Sequence, residues 1–328
     1  MRRREFIVLL GGATATAPFA AHAQQSKPMR RVAALMPYAA NDPEAQNRNA
    51  AFLQGLRQLG WTVGQNVQIA YRWSAGSEDD TRKYAAELVA LSPDVIFVPG
   101  AAAVEPLRRL TRSVPIVFVS VPDPVGAGFV DSLARPGGNV TGFTVFDYGI
   151  GAKWLEVLKE IAPKTTRAAI LRDPNITAGI GQWGAIQSVS PSLAIEVSPI
   201  NLIDPAAIDR AITVFARSPN GGLIATGSAL TVARRDLIIA LAARYRLPAV
   251  YYDRHYVAAG GLISYGSNTV EQFRLAATYV DCILKGEKPA DLPVQRRPNT
   301  NSSSTSKPPR HSAAVPQSLL ARADEVIE

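Results

Sequence analysis

Two aspartates, Asp123 and Asp253, close stretches of similar design. The first stretch is "DVIFVPGAAAVEPLRRLTRSVPIVFVSVPDP" and the second is "GGLIATGSALTVARRDLIIALAARYRLPAVYYDRHY". Each runs apolar strand, Gly, small-residue loop, helical segment, Pro and apolar strand, with the Asp at the strand's carboxyl end. A carboxylate there can pair with a cation, and a Gly-led loop of small residues lets backbone N–H groups approach a ligand. The two aspartates are 130 positions apart in the chain, which points to two lobes built on one plan.

The same search finds no bond-making constellation. There is no G-x-x-x-x-G-K-[ST] loop, no G-x-S-x-G elbow, no H-E-x-x-H and no G-x-G-x-x-G after a strand. Of three histidines, His22 falls in the export signal described below and His311 in an unusual polar segment, leaving His255 alone. One histidine is too few for a His-based metal site. The single Cys282 has no partner for an internal disulfide, and its helical spacing with Val280 and Leu284 reads as a packed thiol. Loops such as "ARPGGN" and "SPNGG" read as turns. The expectation is a binder rather than an enzyme, with no catalytic residue, cofactor or metal.

The N-terminus, "MRRREFIVLLGGATATAPFAAHAQQ", has a basic head, an apolar stretch and Ala21-His22-Ala23 before Gln24. This is the layout of a signal peptide over residues 1–23, cleaved after Ala23. Arg3-Arg4-Glu5-Phe6-Ile7 resembles the twin-arginine export motif, with a plain Sec signal as the alternative. No later run reaches the ~20 apolar residues that span a bilayer. A soluble periplasmic protein follows as the expectation. Cleavage leaves 305 of the 328 residues, enough for two domains. The net charge of +8 gives no sign of a nucleic-acid partner, because the signal contributes +2 and residues 296–314 contribute +4.

Strands and helices alternate along the rest of the chain. "RVAALMPY", "NVQIAYRW", "DVIFVPG" and "VPIVFVSV" read as strands, separated by helical patterns such as Phe52, Leu56 and Leu59 before Gly60. After residue 147 the alternation resumes with the helix "GAKWLEVLKEIAP" and the strand "TRAAILRDP". Further on, "DPAAIDRAITVFARSP" carries an Asp cap and a first-turn Pro, and "SALTVARRDLIIALAARYR" follows as a small-residue loop and a helix. The pattern implies an α/β fold with parallel sheets flanked by helices in two Rossmann-like lobes. Ligands of such sheets bind beyond the carboxyl ends of the strands, so two facing lobes bring both loops and both aspartates to one cleft.

With these segments in view, the chain resembles the periplasmic substrate-binding proteins of ABC importers, in the group that includes tryptophan- and tyrosine-binding members. The resemblance is carried by "VPIVFVSVPDPVGAGFVDSLARPGGNVTG", "FARSPNGGLIATGSAL", "LPAVYYDRHYVAAGGLISYG", "YVDCILKGEKPADLPVQ" and "VPQSLLARADEVIE". It implies a type I periplasmic-binding fold hinged around a ligand cleft. Lobe 1 would comprise residues 30–147 with about 266–293, and lobe 2 residues 148–265 with about 315–328. The implied ligand is a small organic molecule, amino acid-like and aromatic or branched. The implied partner is an ABC permease, with the protein itself a monomer. The alternative use of the fold is a ligand sensor that signals to a membrane receptor. A repressor would need an N-terminal helix-turn-helix where the signal stands.

By the same resemblance, ligand contacts come from Tyr38, Ala39, Ala101, Ala102 and Asp123 in lobe 1. In lobe 2 they come from Gly227, Ser228, Tyr252, Asp253 and Tyr265. Loop amides and Ser228 would hold a carboxylate, Asp123 or Asp253 an amine, and the Tyr rings an apolar side chain. Some of these residues have plain structural readings too. Asp123 before Pro124 suits a turn or cap, and of Tyr251 and Tyr252, on opposite strand faces, at least one belongs to the core. Trp61, Trp73, Trp154 and Trp183 are scattered and read as packing.

Residues 296–314, "RRPNTNSSSTSKPPRHSAA", depart from the family pattern, which has a strand and a short helix here. Read one base early, TCN serine codons become Phe, Leu, Ile or Val codons, and permitted choices restore a family-like "APTEHELVINLKAAKALG". The segment is therefore read as a frameshifted stretch, with a Ser/Pro linker as the alternative. On the frameshift reading the chain lacks one strand and a helix near a lobe crossing.

Overall fold

The computed structural model describes residues 29–145 and 148–296, together with the backbone of 300–305 and 325–327. The signal segment 1–23 lies outside the described residues, as do 297–299 and 306–314 of the polar segment.

Runs that are apolar at every position become strands covered on both faces. β3 (Val95–Pro99) and β8 (Gly221–Ala225) are buried throughout, as strands interior to parallel sheets are. The first sheet is formed by β1 (Arg30–Met36), β2 (Val67–Trp73), β3, β4 (Ile116–Val121), β5 (Val140–Thr144) and β11 (Gln295–Arg296). Its order is β11-β5-β4-β3-β1-β2, and every pairing is parallel. The second sheet contains β6 (Arg167–Arg172), β7 (Glu196–Asn201), β8, β9 (Ala249–Tyr251), β10 (Ile263–Ser267), β12 (Thr300–Thr305) and β13 (Glu325–Ile327). Its order is β13-β12-β10-β9-β8-β6-β7.

Each sheet has a core on either side. In the first lobe α1 (Pro43–Gln58) and α10 (Thr269–Leu284) bury Phe52, Leu56, Phe273 and Val280 against one face. α2 (Glu78–Ala90) and α3 (Ala101–Leu110) bury Leu88, Val104 and Leu107 against the other. In the second lobe α4 (Ile150–Ile161) and α5 (Thr177–Val189) cover one face with Trp154, Leu158 and Ile186. α6 (Pro205–Phe215) and α8 (Arg235–Arg244) cover the other with Ile208, Ile212 and Ile238. The chain crosses between the lobes after β5, between β10 and α10, and between β11 and β12.

Local signals start the helices where expected. Asp42 caps α1 by accepting from the Ala45 N–H at 2.8 Å, with Pro43 in the first turn. After Ser228 the chain forms two helices, α7 (Ala229–Ala233) and α8, meeting at Arg234, and the short α9 (His255–Ala258) follows β9.

The polar segment also differs from its reading. Thr300–Thr305 is a strand, antiparallel to β10 with Tyr265 opposite Ser302 and Gly266 opposite Asn301, and parallel to β13. The strand expected to be missing is present, because ladder hydrogen bonds come from the main chain and any non-proline sequence can make them.

Candidate functional site

The loops after β1, β3, β4, β6 and β8 meet between the lobes and enclose a recess with about 750 Å³ of empty space, its mouth included. Its walls are mostly small and apolar, with Ala101 and Ala102 from one lobe facing Ile176, Ala178, Gly227 and Ala229 of the other.

The first lobe contributes the start of α3. Gly100, at φ +81°, turns the chain from β3 into the helix in a conformation that glycine adopts without a steric penalty. Among the described residues no side chain caps this helix, so the N–H groups of its first turn are open to an acceptor in the recess. Tyr38 forms part of the floor, its hydroxyl accepting from Arg48 Nη1 at 3.2 Å. Ser120, at φ +58°, is held by Gln272 Oε1, which accepts from its N–H at 3.1 Å.

The second lobe contributes Asp173, one residue beyond β6, and Gln182, one turn into α5. Two glycines set their positions. A Cβ on Gly179 would stand 1.8 Å from the Asp173 carbonyl oxygen, so only glycine lets α5 lie this close to the loop after β6. A Cβ on Gly151 would stand 2.6 Å from the Gln182 carbonyl oxygen, so α4 approaches α5 only where it lacks a side chain. Asp173 Oδ1 accepts from the Asn175 N–H at 3.0 Å. Burial pushes the Asp173 carboxyl up from its ordinary value, the Asn175 N–H opposes this, and the Glu78 charge across the cleft adds to it. Gln182 is 0% exposed, yet neither Oε1 nor Nε2 has a hydrogen-bond partner among the described residues.

Behind the recess, Arg48 Nη2 donates to Asp253 Oδ2 at 3.0 Å, joining α1 of the first lobe to the loop after β9 of the second. Thr269 Oγ1 donates to the same oxygen at 2.7 Å, and His255 Nδ1 stands 2.8 Å from Oδ1. Burial alone would push the Asp253 carboxyl up. The neighbouring His255 ring, the Arg48 guanidinium and hydrogen bonds from His255 and Thr269 outweigh it and hold the carboxyl well below the usual range.

Six of the ten residues proposed from sequence line the recess: Tyr38, Ala101, Ala102, Gly227, Ser228 and Tyr252. The Ser228 hydroxyl is engaged in capping α7, accepting from the Thr231 N–H at 3.0 Å. The other four stand away from the recess lining. Ala39 lies beyond Tyr38, and its carbonyl accepts from the Asp42 N–H at 3.1 Å. Asp123, at φ +41°, accepts from the Gly126 N–H at 2.8 Å and closes a turn. Asp253 is the interlobe anchor, its carboxylate occupied by Arg48, Thr269 and His255. Tyr265 sits on β10, and its carbonyl accepts from Trp154 Nε1 at 2.7 Å. Of the tyrosine pair, Tyr251 is core, stacked on Tyr256.

Asp173, Gln182 and Arg48 were missed. Asp173 carries the signal that marked Asp123 and Asp253, an aspartate at a strand's carboxyl end. Gln182 and Arg48 lie inside helices and carry no local signal.

Among the described residues no cluster of His, Cys, Asp and Glu is arranged for a metal, and no helix is long and apolar enough to cross a membrane. Burial pushes the Cys282 thiol up, away from the thiolate a nucleophile needs.

The profile of the ABC transporter substrate binding protein family matches residues 39–327. The Tyrosine-binding protein of Clostridioides difficile is 23% identical over 252 residues, which are 77% of this chain and 72% of that protein. A conserved domain protein from Vibrio cholerae superposes with a TM-score of 0.83 at 23% identity, covering 91% of this chain and 100% of that one. The ABC domain in complex with L-Trp from Streptococcus pneumonia gives 0.82 at 20% identity, with the same coverage.

Proposed function

This chain belongs to the ABC transporter substrate-binding protein family, and on that premise we propose that it is the periplasmic solute-binding component of an ABC importer. Its cargo is an amino acid with an apolar side chain, aromatic or branched, held between the lobes. The observation that carries this reading is the recess itself, walled by loops of both sheets and built of small apolar residues around a few placed polar groups. A ligand touching both walls favours the closed form by its differential affinity for that form, and a permease then reads closure. The signal segment 1–23, removed after Ala23, delivers the protein to the periplasm as a monomer. The tyrosine-binding relative and the L-Trp-bound neighbour support an amino acid as cargo.

Thermal unfolding of residues 24–328 with each of the twenty L-amino acids tests the reading. A cargo at ~100 times its dissociation constant adds about 2.7 kcal/mol, so one or a few amino acids should raise the melting temperature clearly. Shifts from sugars or dicarboxylates, with none from amino acids, would contradict it.

A further inference from the structure

The most unusual polar group in the recess is Gln182. A buried primary amide normally has partners for both its donor and its acceptor ends. Here both ends are bare among the described residues. Gly151 and Gly179 let α4 and the Asp173 loop close on α5 on either side of Gln182. Asp173 lines the same wall with a buried carboxylate, faced across the cleft by the carboxylate of Glu78 and, among the described residues that line the recess, by no cation except Arg48, which Asp253 already holds. Opposite stands the uncapped first turn of α3.

We propose that Asp173 and Gln182 form the head-group reader of the second lobe, and that the ligand they read is the zwitterion of an α-amino acid. Asp173 accepts from the ligand's ammonium. Gln182 complements both ends of the zwitterion, its Oε1 accepting from the ammonium and its Nε2 donating to the carboxylate. The N–H groups of Ala101 and Ala102 complete the carboxylate's shell from the first lobe. The inference rests on the cargo reading above and adds the residues that make both charged groups of the cargo necessary. An ammonium beside Asp173 reverses the penalty of burying that carboxylate, and a zwitterion supplies Gln182 with the partners that the protein withholds. Ligand-free protein therefore carries two polar groups that favour function over stability.

This arrangement has a signature that a structural role lacks. Asp173→Asn and Gln182→Met, each close to isosteric, should raise the melting temperature of the ligand-free chain while lowering its affinity for cargo. The experiment is isothermal titration of residues 24–328 and both variants with L-tyrosine, L-tryptophan and the best-binding of the remaining amino acids. Tyramine and 3-(4-hydroxyphenyl)propionate serve as the carboxylate-free and amine-free probes. The wild-type chain is expected to bind an amino acid at least tenfold more tightly than either probe, and each variant to lose at least tenfold for the amino acid. Asp173→Asn should leave the amine-free probe within threefold of wild type. Should the wild-type chain bind an amino acid while both variants, folded, retain it within threefold, the head-group assignment fails and the cargo reading stands. Should the wild-type chain bind none of the twenty, both fail together. If Gln182→Met does not fold, Gln182 is structural, and that half of the assignment is overturned whatever Asp173→Asn shows.

Discussion

Arg48 and Asp253 lie 205 residues apart in sequence and form a buried ion pair between the lobes, 3.0 Å from Nη2 to Oδ2 with each side chain 2% exposed. Charges this deep are tolerated only when their remaining hydrogen-bonding capacity is used. Tyr38, Glu44, Thr269 and His255 use it. The pair thereby fixes α1 to the loop after β9 behind the interlobe recess, and it holds Tyr38 in the floor.

Removing one partner strands the other charge. Arg48→Met is expected to cost about 3–5 kcal/mol, read as a lower urea midpoint at unchanged slope. Near-neutral stability for this variant would show that the pair is not the anchor described.

The two buried aspartates give opposite pH dependences. Asp253 has a lowered carboxyl, so its contribution is complete above the ordinary aspartate value of about 3.9 and is lost as pH falls below it toward the folded value. Asp173 has a raised carboxyl, so its contribution is present below about 3.9 and is lost as pH rises through the folded value. Asp173→Asn should remove the decline between about 3.9 and the folded value in ligand-free protein. A profile identical to wild type there would contradict the burial assigned to Asp173.

Gly179→Ala places a methyl 1.8 Å from the Asp173 carbonyl oxygen, so α5 or the loop must move. The expected result is a loss of about 1–3 kcal/mol together with weakened ligand binding, seen in unfolding and titration of the same variant. Gly184→Ala, where nothing stands within 4 Å of the added Cβ, is the control and should leave binding unchanged.

At the cleft mouth Asn175 Nδ2 of the second lobe donates to Glu78 Oε1 of the first at 2.9 Å. Glu78→Ala removes an exposed latch worth up to about 1 kcal/mol. Affinity should fall by no more than about fivefold, through faster dissociation, as stopped-flow measurement would show. Slower dissociation would mean that Glu78 opposes closure.

β12 is interior to its sheet, between β10 and β13, yet its sequence is Thr-Asn-Ser-Ser-Ser-Thr. Interior strands are ordinarily β-branched and apolar, so local preference and global position conflict here. This supports the frameshift proposal for 296–314. A chain carrying the alternative-frame residues should be more stable by several kcal/mol in denaturant. Equal stability would favour a tolerated polar strand.

Much of this architecture was legible in the sequence because parallel strands leave a local trace. Runs such as "VIFV" and "GGLIA", spaced by helical periods, gave the two sheets. The family resemblance, applied to the glycine-led loops after strands, pointed to Ala101, Ala102, Gly227 and Ser228, which line the recess. What failed was partner choice. Asp123, Asp173 and Asp253 all end strands, and the sequence does not distinguish the one that closes a turn, the one that faces the cleft and the one that meets Arg48. That difference depends on helices brought in from elsewhere in the chain. Gln182 was unreadable for the same reason, since its meaning lies in the partners it lacks.

The most direct test of the central claim, that cargo occupies the interlobe recess, is calorimetric titration of wild type and Ala102→Trp with the amino acid giving the largest thermal shift. Ala102 lines the recess and is exposed, so an indole there fills the cleft without entering a core. The account predicts one site per wild-type chain, and binding lost in the folded variant. Equal binding by both proteins would place the ligand elsewhere and contradict it.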